Sequence, residues 1–371
     1  MTTLAKPERG PKTLTLRAPD RYHLYYDYMK FEALTIKDIA KALGLSTSTV
    51  SRALRDSYEI SPETKKLVLE YAEKNNYHPN PIALSLKERR SRSIGVLVVE
   101  IANSFFSQTI NGIENIAYNN GYNVIIAQSR ESYDRELINL QYLASRSIDG
   151  LIVSVSTETK DFSFLKELHQ RGMPIVFFDR IVDEIETHKV TADSFKGAYD
   201  ATIHLLQNGY NSIAAVANSP SLSITKERLG GYKKALEEFN KVASDDMIRY
   251  CDHGGMILSE VEEAVDQLLQ LPQRPDAILA TSDKLTTGCL RVLKARKVKV
   301  PDEVGLVGFS NADFTELLDP SLTIIKQPAF EMGELATNLL LQLIESKRPV
   351  EQFEVKKLAA ELVQRASSER R

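Results

Sequence analysis

From residue 93 onward, short apolar runs rich in β-branched residues alternate with stretches that have helical periodicity. The first repeat is a run over 94–99, an amphipathic stretch over 105–119 and a second run over 122–127. Similar runs and stretches follow one another as far as residue 309. Apolar runs without alternating polar residues are typical of strands buried on both faces. The alternation therefore predicts parallel sheets that are covered by helices.

The repeating part of the chain is too long for one sheet. Roughly 280 residues follow residue 93, which is more than a single doubly wound sheet of ordinary size requires. We therefore expect two α/β lobes, each a doubly wound parallel sheet, over 93–371. Because such sheets bind ligands outside the carboxyl ends of their strands, the space between the lobes is the expected ligand cleft.

Residues 32–78 have a different pattern, with three short helical periods and no strand pattern. Ala40, Gly44 and Val50 have the spacing of a helix-turn-helix, in which a small residue lets the helices approach and the glycine makes the turn. Ser46 is placed to cap the second helix. An arbitrary three-helix bundle is the alternative interpretation.

Polar side chains near the start of the second helix are candidates for reading DNA bases. Thr47, Ser48 and Arg52 lie on one outward face, and an arginine there can bind guanine in bidentate fashion in the major groove. A solvated polar face is the other interpretation. The candidates for contacts to the DNA backbone are Lys37, Ser51 and Tyr58.

The net charge of −3 conceals an uneven distribution. Residues 30–92 hold 12 Lys or Arg against 8 Asp or Glu, whereas residues 93–371 hold 30 against 39. A small basic segment joined to a larger acidic one favours a polyanionic partner for the first. Charge runs are more often solvated faces, so composition gives this hypothesis little weight by itself.

Several features favour a cytoplasmic protein without a metal or cofactor. No apolar stretch is long enough to span a membrane, and the N-terminus has no apolar core of a secretory signal. Cys251 and Cys289 lack metal-ligand spacing, and two cysteines are too few for a disulfide scaffold. The six histidines show no ligand spacing either, and no nucleotide-binding or hydrolase motif is present.

Several motifs in order resemble the lactose-repressor (LacI/GalR) family of bacterial transcription regulators. They include "LTIKDIAKALGLSTSTVSRAL", "NSFFSQTINGIENIAYNNGYNVII", "GMPIVFFDR", "ERLGGYKKAL" and "VPDEVGLVGFSN". The resemblance runs from about residue 34 to residue 367. Residues 1–31 precede it, and we interpret them as a tail or as the product of an upstream start codon, with Met29 six residues ahead of Thr35.

The resemblance implies an architecture and a function. The expected fold is an all-α helix-turn-helix headpiece followed by a two-lobed effector core like that of periplasmic sugar-binding proteins. Such proteins bind operator DNA as homodimers, under the control of a small-molecule effector, most often a sugar. The resemblance carries base reading onto Thr47, Ser48 and Arg52.

Residues 79–92 are expected to form a hinge helix and linker. Leu86 matches the family's leucine that inserts into the minor groove, and Ala83 and Lys87 lie beside it. Ile82, Ala83 and Leu86 give one apolar face to a helix too short to be stable alone. The family commonly has arginine where this chain has Leu84, which puts one minor-groove or phosphate contact in doubt. A plain linker helix is the alternative.

In the core, Arg228 and Asp283 match effector-binding positions of the family. A guanidinium and a carboxylate facing a cleft can hydrogen-bond the vicinal hydroxyls of a sugar in several directions. An aromatic side chain after the first strand can stack on a sugar or base, although one of the two there is expected to belong to the core. These two aromatic candidates are Phe105 and Phe106. Asn103, Asp179 and His253 are weaker candidates, and an ordinary loop or strand-end residue is the alternative interpretation of each.

Two other functions remain to be weighed. A sugar-binding protein without a regulatory role is consistent with the core but not with the helix-turn-helix pattern. An enzyme on this fold is the third hypothesis, because a fold does not fix a function. The absence of catalytic motifs argues against it.

Overall fold

The computed structural model describes residues 34–77, 90–348 and 350–370. The chain divides after Leu84 into two compact units, which we call the headpiece and the core. The extension at 1–31 and the hinge residues Ala83, Leu86 and Lys87 lie outside the described residues.

The headpiece contains three helices in its described part. They are α1 (Ile36–Leu43), α2 (Thr47–Ala53) and α3 (Pro62–Lys74). Each begins at a hydroxyl side chain that accepts a backbone N–H, namely those of Thr35, Ser46 and Ser61. Such caps satisfy amide groups that the first helical turn leaves unpaired.

A small apolar core holds the three helices together. Ile39 and Ala40 of α1, Val50 of α2 and Val68 of α3 are buried against one another. Gly44 ends α1 with φ of 66°, a left-handed conformation that costs glycine little. The predicted roles of Ala40, Gly44 and Val50 in a helix-turn-helix are therefore confirmed by the packing.

The core consists of two α/β lobes. Lobe 1 contains β1 (Ser93–Val98), α4 (Ser104–Asn119), β2 (Asn123–Gln128), α5 (Tyr133–Ser145), β3 (Gly150–Val153), α6 (Ser163–Gln170), β4 (Ile175–Phe178) and β5 (Lys189–Ala192). Lobe 2 follows with α7 (Ser194–Gln207), β6 (Ile213–Asn218), α8 (Ser223–Glu238), β7 (Ile248–Cys251), α9 (Leu258–Leu269), β8 (Ala277–Ala280), α10 (Asp283–Ala295), β9 (Gly305–Phe309) and β10 (Thr323–Lys326). Then α11 (Ala329–Glu345) and β11 (Val355–Leu358) return to lobe 1, and β12 (Glu361–Val363) ends lobe 2.

The two sheets have equivalent topologies. Their strand orders are β11-β5-β4-β3-β1-β2 and β12-β10-β9-β8-β6-β7. Both are parallel except for the antiparallel pairing of β10 with β12. In each sheet the strand order reverses beside the first strand of the lobe, β1 or β6, and ligand crevices form at the carboxyl ends of strands at such a point. The fold class predicted from the sequence is confirmed.

Some elements differ from the sequence-based expectation. Helix α8 begins at Ser223, five residues before the apolar period becomes visible at Arg228, because polar residues dominate its first turn. The apolar alternation does not predict helix α11 or the strands β5, β7, β10, β11 and β12. Strands β11 and β12 lie at sheet edges, where exposed polar residues interrupt the apolar run. Among the described residues, no helix is long and apolar enough to cross a membrane.

Close helix packing at glycines makes each lobe compact. A Cβ on Gly333 of α11 would lie 2.1 Å from the carbonyl oxygen of Thr109 in α4. In lobe 2, a Cβ on Gly231 of α8 would lie 2.1 Å from the carbonyl oxygen of Phe195 in α7. These helices could not approach as closely with any larger residue at either position.

Candidate binding cleft and nucleic-acid interface

The two lobes meet along a cleft at the carboxyl ends of their parallel strands. One part of it, the inner chamber, contains about 400 Å³ of space that no protein atom occupies, with the open solvent at its mouth included. Its lobe 1 lining is Asn103, Phe105, Phe106, Asp179 and Arg180. Its lobe 2 lining is Asn218, Ile224, Arg228, Ser282, Asp283, Phe309, Ser310, Asn311 and Gln327. Six of the seven effector residues predicted from the sequence therefore lie in one chamber.

Arg228 is a buried guanidinium in α8. It donates to the carbonyl oxygen of Thr281, and its Nε lies 3.2 Å from the Ser194 hydroxyl. The guanidinium carbon is 3.8 Å from the centre of the Phe309 ring. Burial lowers the pKa of Arg228 to about 10, and Asp179 opposes that shift. Since these neutral partners leave a buried cation incompletely compensated, a ligand with oxygen acceptors would stabilise it.

Asp283 is the first residue of α10, and its carboxylate faces the chamber. The Ser310 hydroxyl donates to it, and Asn103 Nδ2 of lobe 1 lies 3.4 Å from Oδ2. Burial raises the pKa of the Asp283 carboxyl above its ordinary value. The side chain does not cap its own helix, since Ser282 is the N-cap residue and makes no side-chain cap bond.

A buried ion pair supports the lobe 1 side. Arg180 makes bidentate bonds of 2.7 and 2.8 Å to Glu131, which also accepts from the backbone and hydroxyl of Thr157. Burial disfavours the charged carboxylate, but the Arg180 guanidinium outweighs it and lowers the pKa of Glu131. Glu131 and Asp179 both have φ in the left-handed region, at 63° and 56°. Such strain in non-glycine residues is concentrated at functional sites.

Side-chain amides complete the polar lining and join the lobes. Asn311 Nδ2 of lobe 2 donates to Gln108 Oε1 of lobe 1 at 2.9 Å, and Gln108 Nε2 donates to the backbone carbonyl of Asn311 at 3.0 Å. At the rim, Lys284 of lobe 2 lies 3.0 Å from Glu100 of lobe 1. Gln327 Nε2 is buried and has no hydrogen-bond partner in the described structure. An unpaired buried donor of this kind is suited to a ligand acceptor.

Of the other effector-binding candidates, Phe105 and Phe106 line the inner chamber and His253 does not. Phe105 and Phe106 both line the chamber and are both buried, with ring centres 5.2 Å apart, so neither is confined to the core. His253 lies outside the chamber, on the loop after β7, where Nδ1 pairs with Glu260. Sequence reasoning missed Arg180, Asn218, Asn311 and Gln327, although each follows an apolar strand closely or ends one. Within the described residues, no group of three or more potential metal ligands occurs.

In the headpiece, the proposed base-reading residues share one exposed surface. Thr47 and Ser48 are exposed at the start of α2, and Arg52 forms an exposed ion pair with Glu59 at 3.0 Å. The remaining candidates lie on the same unit: Lys37 and Tyr58 are exposed, and Ser51 accepts a bond from Arg55 at 2.7 Å.

A helix-turn-helix unit joined to a two-lobed core defines a ligand-responsive, DNA-binding transcriptional regulator. A family model described as "Bacterial regulatory proteins, lacI family" matches residues 35–80. One described as "Periplasmic binding proteins and sugar binding domain of LacI family" matches residues 91–365. The chain therefore belongs to the LacI family of bacterial regulatory proteins, whose members are transcriptional regulators rather than enzymes.

Proteins with similar sequences include the transcriptional repressors PurR and CytR. The chain is 32% identical over 314 residues to the HTH-type transcriptional repressor PurR of Aliivibrio salmonicida, covering 84% of this chain and 93% of that protein. It is 33% identical over 316 residues to the HTH-type transcriptional repressor CytR of Escherichia coli, covering 85% and 91%.

Solved structures show the same architecture. The CelR–cellobiose complex has a TM-score of 0.67 at 27% identity, covering 90% of this chain and 99% of that one. The lac repressor dimer bound to operator and the anti-inducer ONPF has a TM-score of 0.78 at 24% identity, covering 91% and 99%. At 24% identity, the similarity to the lac repressor shows a shared fold and nothing more.

Proposed function

We propose that this chain is a homodimeric repressor whose affinity for operator DNA is set by a small-molecule effector in the inner chamber. The observation that carries the proposal is the convergence of Arg228, Asp283 and several amides on one interlobe chamber, in a chain that also has a helix-turn-helix unit. Because the protein acts on chromosomal DNA, we place it in the cytoplasm.

In the headpiece, α2 enters the major groove. Thr47, Ser48 and Arg52 read base edges, while Lys37, Ser51 and Tyr58 contact the sugar–phosphate backbone. Leu86 inserts into the minor groove, with Ala83 and Lys87 beside it. The support for base reading is the exposure of α2's N-terminal residues together with the one-sided burial of Val50 and Ala53.

The effector is a sugar or a sugar derivative. Arg228 supplies donors, Asp283 supplies an acceptor, and the unpaired Nε2 of Gln327 supplies a further donor. A polyhydroxylated ring can pair with this dense array from several directions, whereas an apolar ligand would leave the buried groups unsatisfied. Asn103, Phe105, Phe106 and Asp179 complete the site from lobe 1.

The effector changes DNA binding by favouring one arrangement of the lobes. The interlobe bonds of Asn103, Gln108 and Lys284 hold the present arrangement, and an effector that binds it more tightly shifts the population towards it. A preference of about 100-fold corresponds to roughly 2.7 kcal/mol of coupling free energy.

Selection from a pool of random duplexes with the purified full-length chain tests the proposal. We expect enrichment of near-palindromic sites whose half-sites lie about one helical turn apart, and a change in affinity for them on addition of the effector. Light scattering should give a dimer. A protein that selects no sequence yet binds sugars would be a sugar-binding protein without a regulatory role.

A further inference from the structure

Helix α11 runs from the inner chamber to the opposite end of lobe 1. It begins two residues after Gln327, whose buried side chain lines the chamber, and it ends at Glu345. Its 17 residues give it a length of about 25 Å. At its far end lies Arg90, the first residue of the core that the structure describes. The helix therefore connects the proposed effector site with the point at which the described core begins.

Asn311, which lines the inner chamber, holds the chamber end of α11. The backbone N–H of Gln327 donates to Asn311 Oδ1 at 3.1 Å, and Asn311 Nδ2 donates to the carbonyl oxygen of Gln327 at 2.7 Å. Asn311 Nδ2 also donates to Gln108 of α4. Because Asn311 and Gln327 both line the chamber, a ligand that displaces either of them acts directly on the start of the helix.

In its first two turns, α11 contacts α4 through backbone atoms. A Cβ on Gly112 of α4 would lie 2.0 Å from the carbonyl oxygen of Phe330 in α11. One on Gly333 of α11 would lie 2.1 Å from the carbonyl oxygen of Thr109 in α4. At these contacts there is no side chain that can change rotamer and absorb a small shift, and close-packed interiors transmit strain. We therefore expect the two helices to move together.

The far end of α11 is bound by Arg90. The carbonyl oxygen of Ile344 is one of the last four in the helix, which have no partner within it, and Arg90 Nη2 donates to it at 3.0 Å. A cation at a helix C-terminus also interacts favourably with the helix dipole. The backbone N–H groups of Ser91 and Arg92 donate instead to Asp149, just before β3. Arg90 thus joins this part of the chain to α11.

We propose that α11 passes changes at the inner chamber to the DNA-binding part of the chain, with Arg90 as the positioning residue that receives them. A shift of α11 moves the Ile344 carbonyl and, through the hydrogen bond, Arg90. Leu86 stands four positions earlier, and four residues span at most about 14 Å, so the position of Arg90 limits where Leu86 can lie. The inference rests on the proposed function, because it takes the inner chamber as the effector site and Leu86 as a DNA contact.

A double-mutant cycle on operator affinity measures this coupling without any effector. Gly333→Ala forces α11 away from α4, and Arg90→Met removes the donor but keeps an unbranched side chain. We expect Gly333→Ala alone to change the dissociation constant for the selected operator by roughly fivefold or more. In the Arg90→Met background, the same substitution should change it by less than about twofold. If Gly333→Ala has its full effect in that background, or has no effect in the wild type, the proposal is overturned.

Two further variants separate the specific bond from a general loss of charge. Arg92→Met removes a cation from the same segment, where the Arg92 guanidinium lies 5.3 Å from the centre of the Tyr122 ring. In this background, the effect of Gly333→Ala should stay within about twofold of its size in the wild type. Arg90→Lys keeps one donor for the Ile344 carbonyl and should restore part of the effect. Loss of the effect in Arg92→Met would attribute the coupling to charge and overturn the role of Arg90.

Two measures keep the test decisive if thermal melting shows that Gly333→Ala does not fold. Gly112→Ala displaces the same pair of helices from the α4 side. Hydrogen exchange needs neither glycine variant: because coupling is reciprocal, operator binding should change amide exchange at Gln327 and in the first turn of α11 in the wild type but not in Arg90→Met. Exchange that operator leaves unchanged in the wild type, or changes equally in both proteins, overturns the proposal.

Operator selection distinguishes failure of the inference from failure of the proposed function. If the wild type selects an operator but the effects of Gly333→Ala and Arg90→Met on its affinity are additive, the inference alone is refuted. If the wild type selects no sequence, the proposed function is refuted.

Discussion

The hydroxyl of Ser310 donates a hydrogen bond to the Asp283 carboxylate, which links the end of β9 to the start of α10 at the inner chamber. This bond fixes the carboxylate facing Asn103 of the opposite lobe rather than the amides of its own helix. Ser310, which directly follows β9, therefore orients the Asp283 carboxylate as an acceptor towards the inner chamber.

We predict that Asp283→Asn weakens the effector response without changing operator affinity in the absence of effector. Loss of a charged acceptor in a desolvated site costs about 1.5–3 kcal/mol, so the concentration for half response should rise roughly 10- to 150-fold. Operator titrations with and without effector measure this. Ser310→Ala is the matched variant and should have a smaller effect in the same direction. Unchanged effector sensitivity in Asp283→Asn would remove the residue from the site.

Arg52→Ala should lower affinity for the selected operator by roughly 1–3 kcal/mol and relax the preference at one base pair per half-site. Glu59→Gln is the control, because it removes the ion-pair partner of Arg52 but keeps the guanidinium. It should leave specificity intact. Fluorescence anisotropy measures the affinity of each variant for the operator and for a random duplex. If Arg52→Ala lowers both affinities equally, Arg52 contacts phosphate and does not read a base.

His253 should make a small, pH-dependent contribution to stability. Its hydrogen bond to Glu260 raises its pKa above 6.5, and Glu158 and Asp252 act in the same direction. The stabilisation is therefore full below the unfolded-state pKa and is lost as the pH rises through the folded-state pKa. The side chain is 41% exposed, so solvent screening keeps the effect below about 1 kcal/mol. Melting of wild type and His253→Gln should differ at pH 5.5 and converge above pH 8.5; a constant difference would contradict this.

Two adjacent glycines of α8 should respond oppositely to alanine. A Cβ at Gly231 would meet the Phe195 carbonyl oxygen at 2.1 Å, so Gly231→Ala must separate two helices and should destabilise lobe 2 by about 1–3 kcal/mol. A Cβ at Gly230 would lie 3.3 Å from side-chain atoms of Phe195. Because that ring is 40% exposed it can move aside, so alanine there gains up to about 1 kcal/mol of helix propensity. Urea denaturation measures the free energy of unfolding of both variants. If both variants lose similar stability, crowding against the Phe195 backbone does not explain the effect of Gly231→Ala.

The sequence predicted the parts of the molecule whose signals are local. The cap at Ser46, the turn at Gly44 and the seven strands β1–β4, β6, β8 and β9 are encoded by neighbouring residues. Arg228 and Asp283 were identified through the resemblance. Glu131 carries no such signal, because the burial of its side chain depends on Arg180 and Thr157, which are distant in the sequence.

The chain passes between the lobes three times, after β5, after β10 and after β11. Lobe 1 receives α11 and β11 only after nearly all of lobe 2. On the ribosome, the headpiece can therefore fold as soon as it emerges, whereas neither lobe has all its strands until the last few dozen residues are made. A nascent chain would carry a finished DNA-binding unit before it has any means of answering an effector. Loss of a short C-terminal segment would damage both lobes at once.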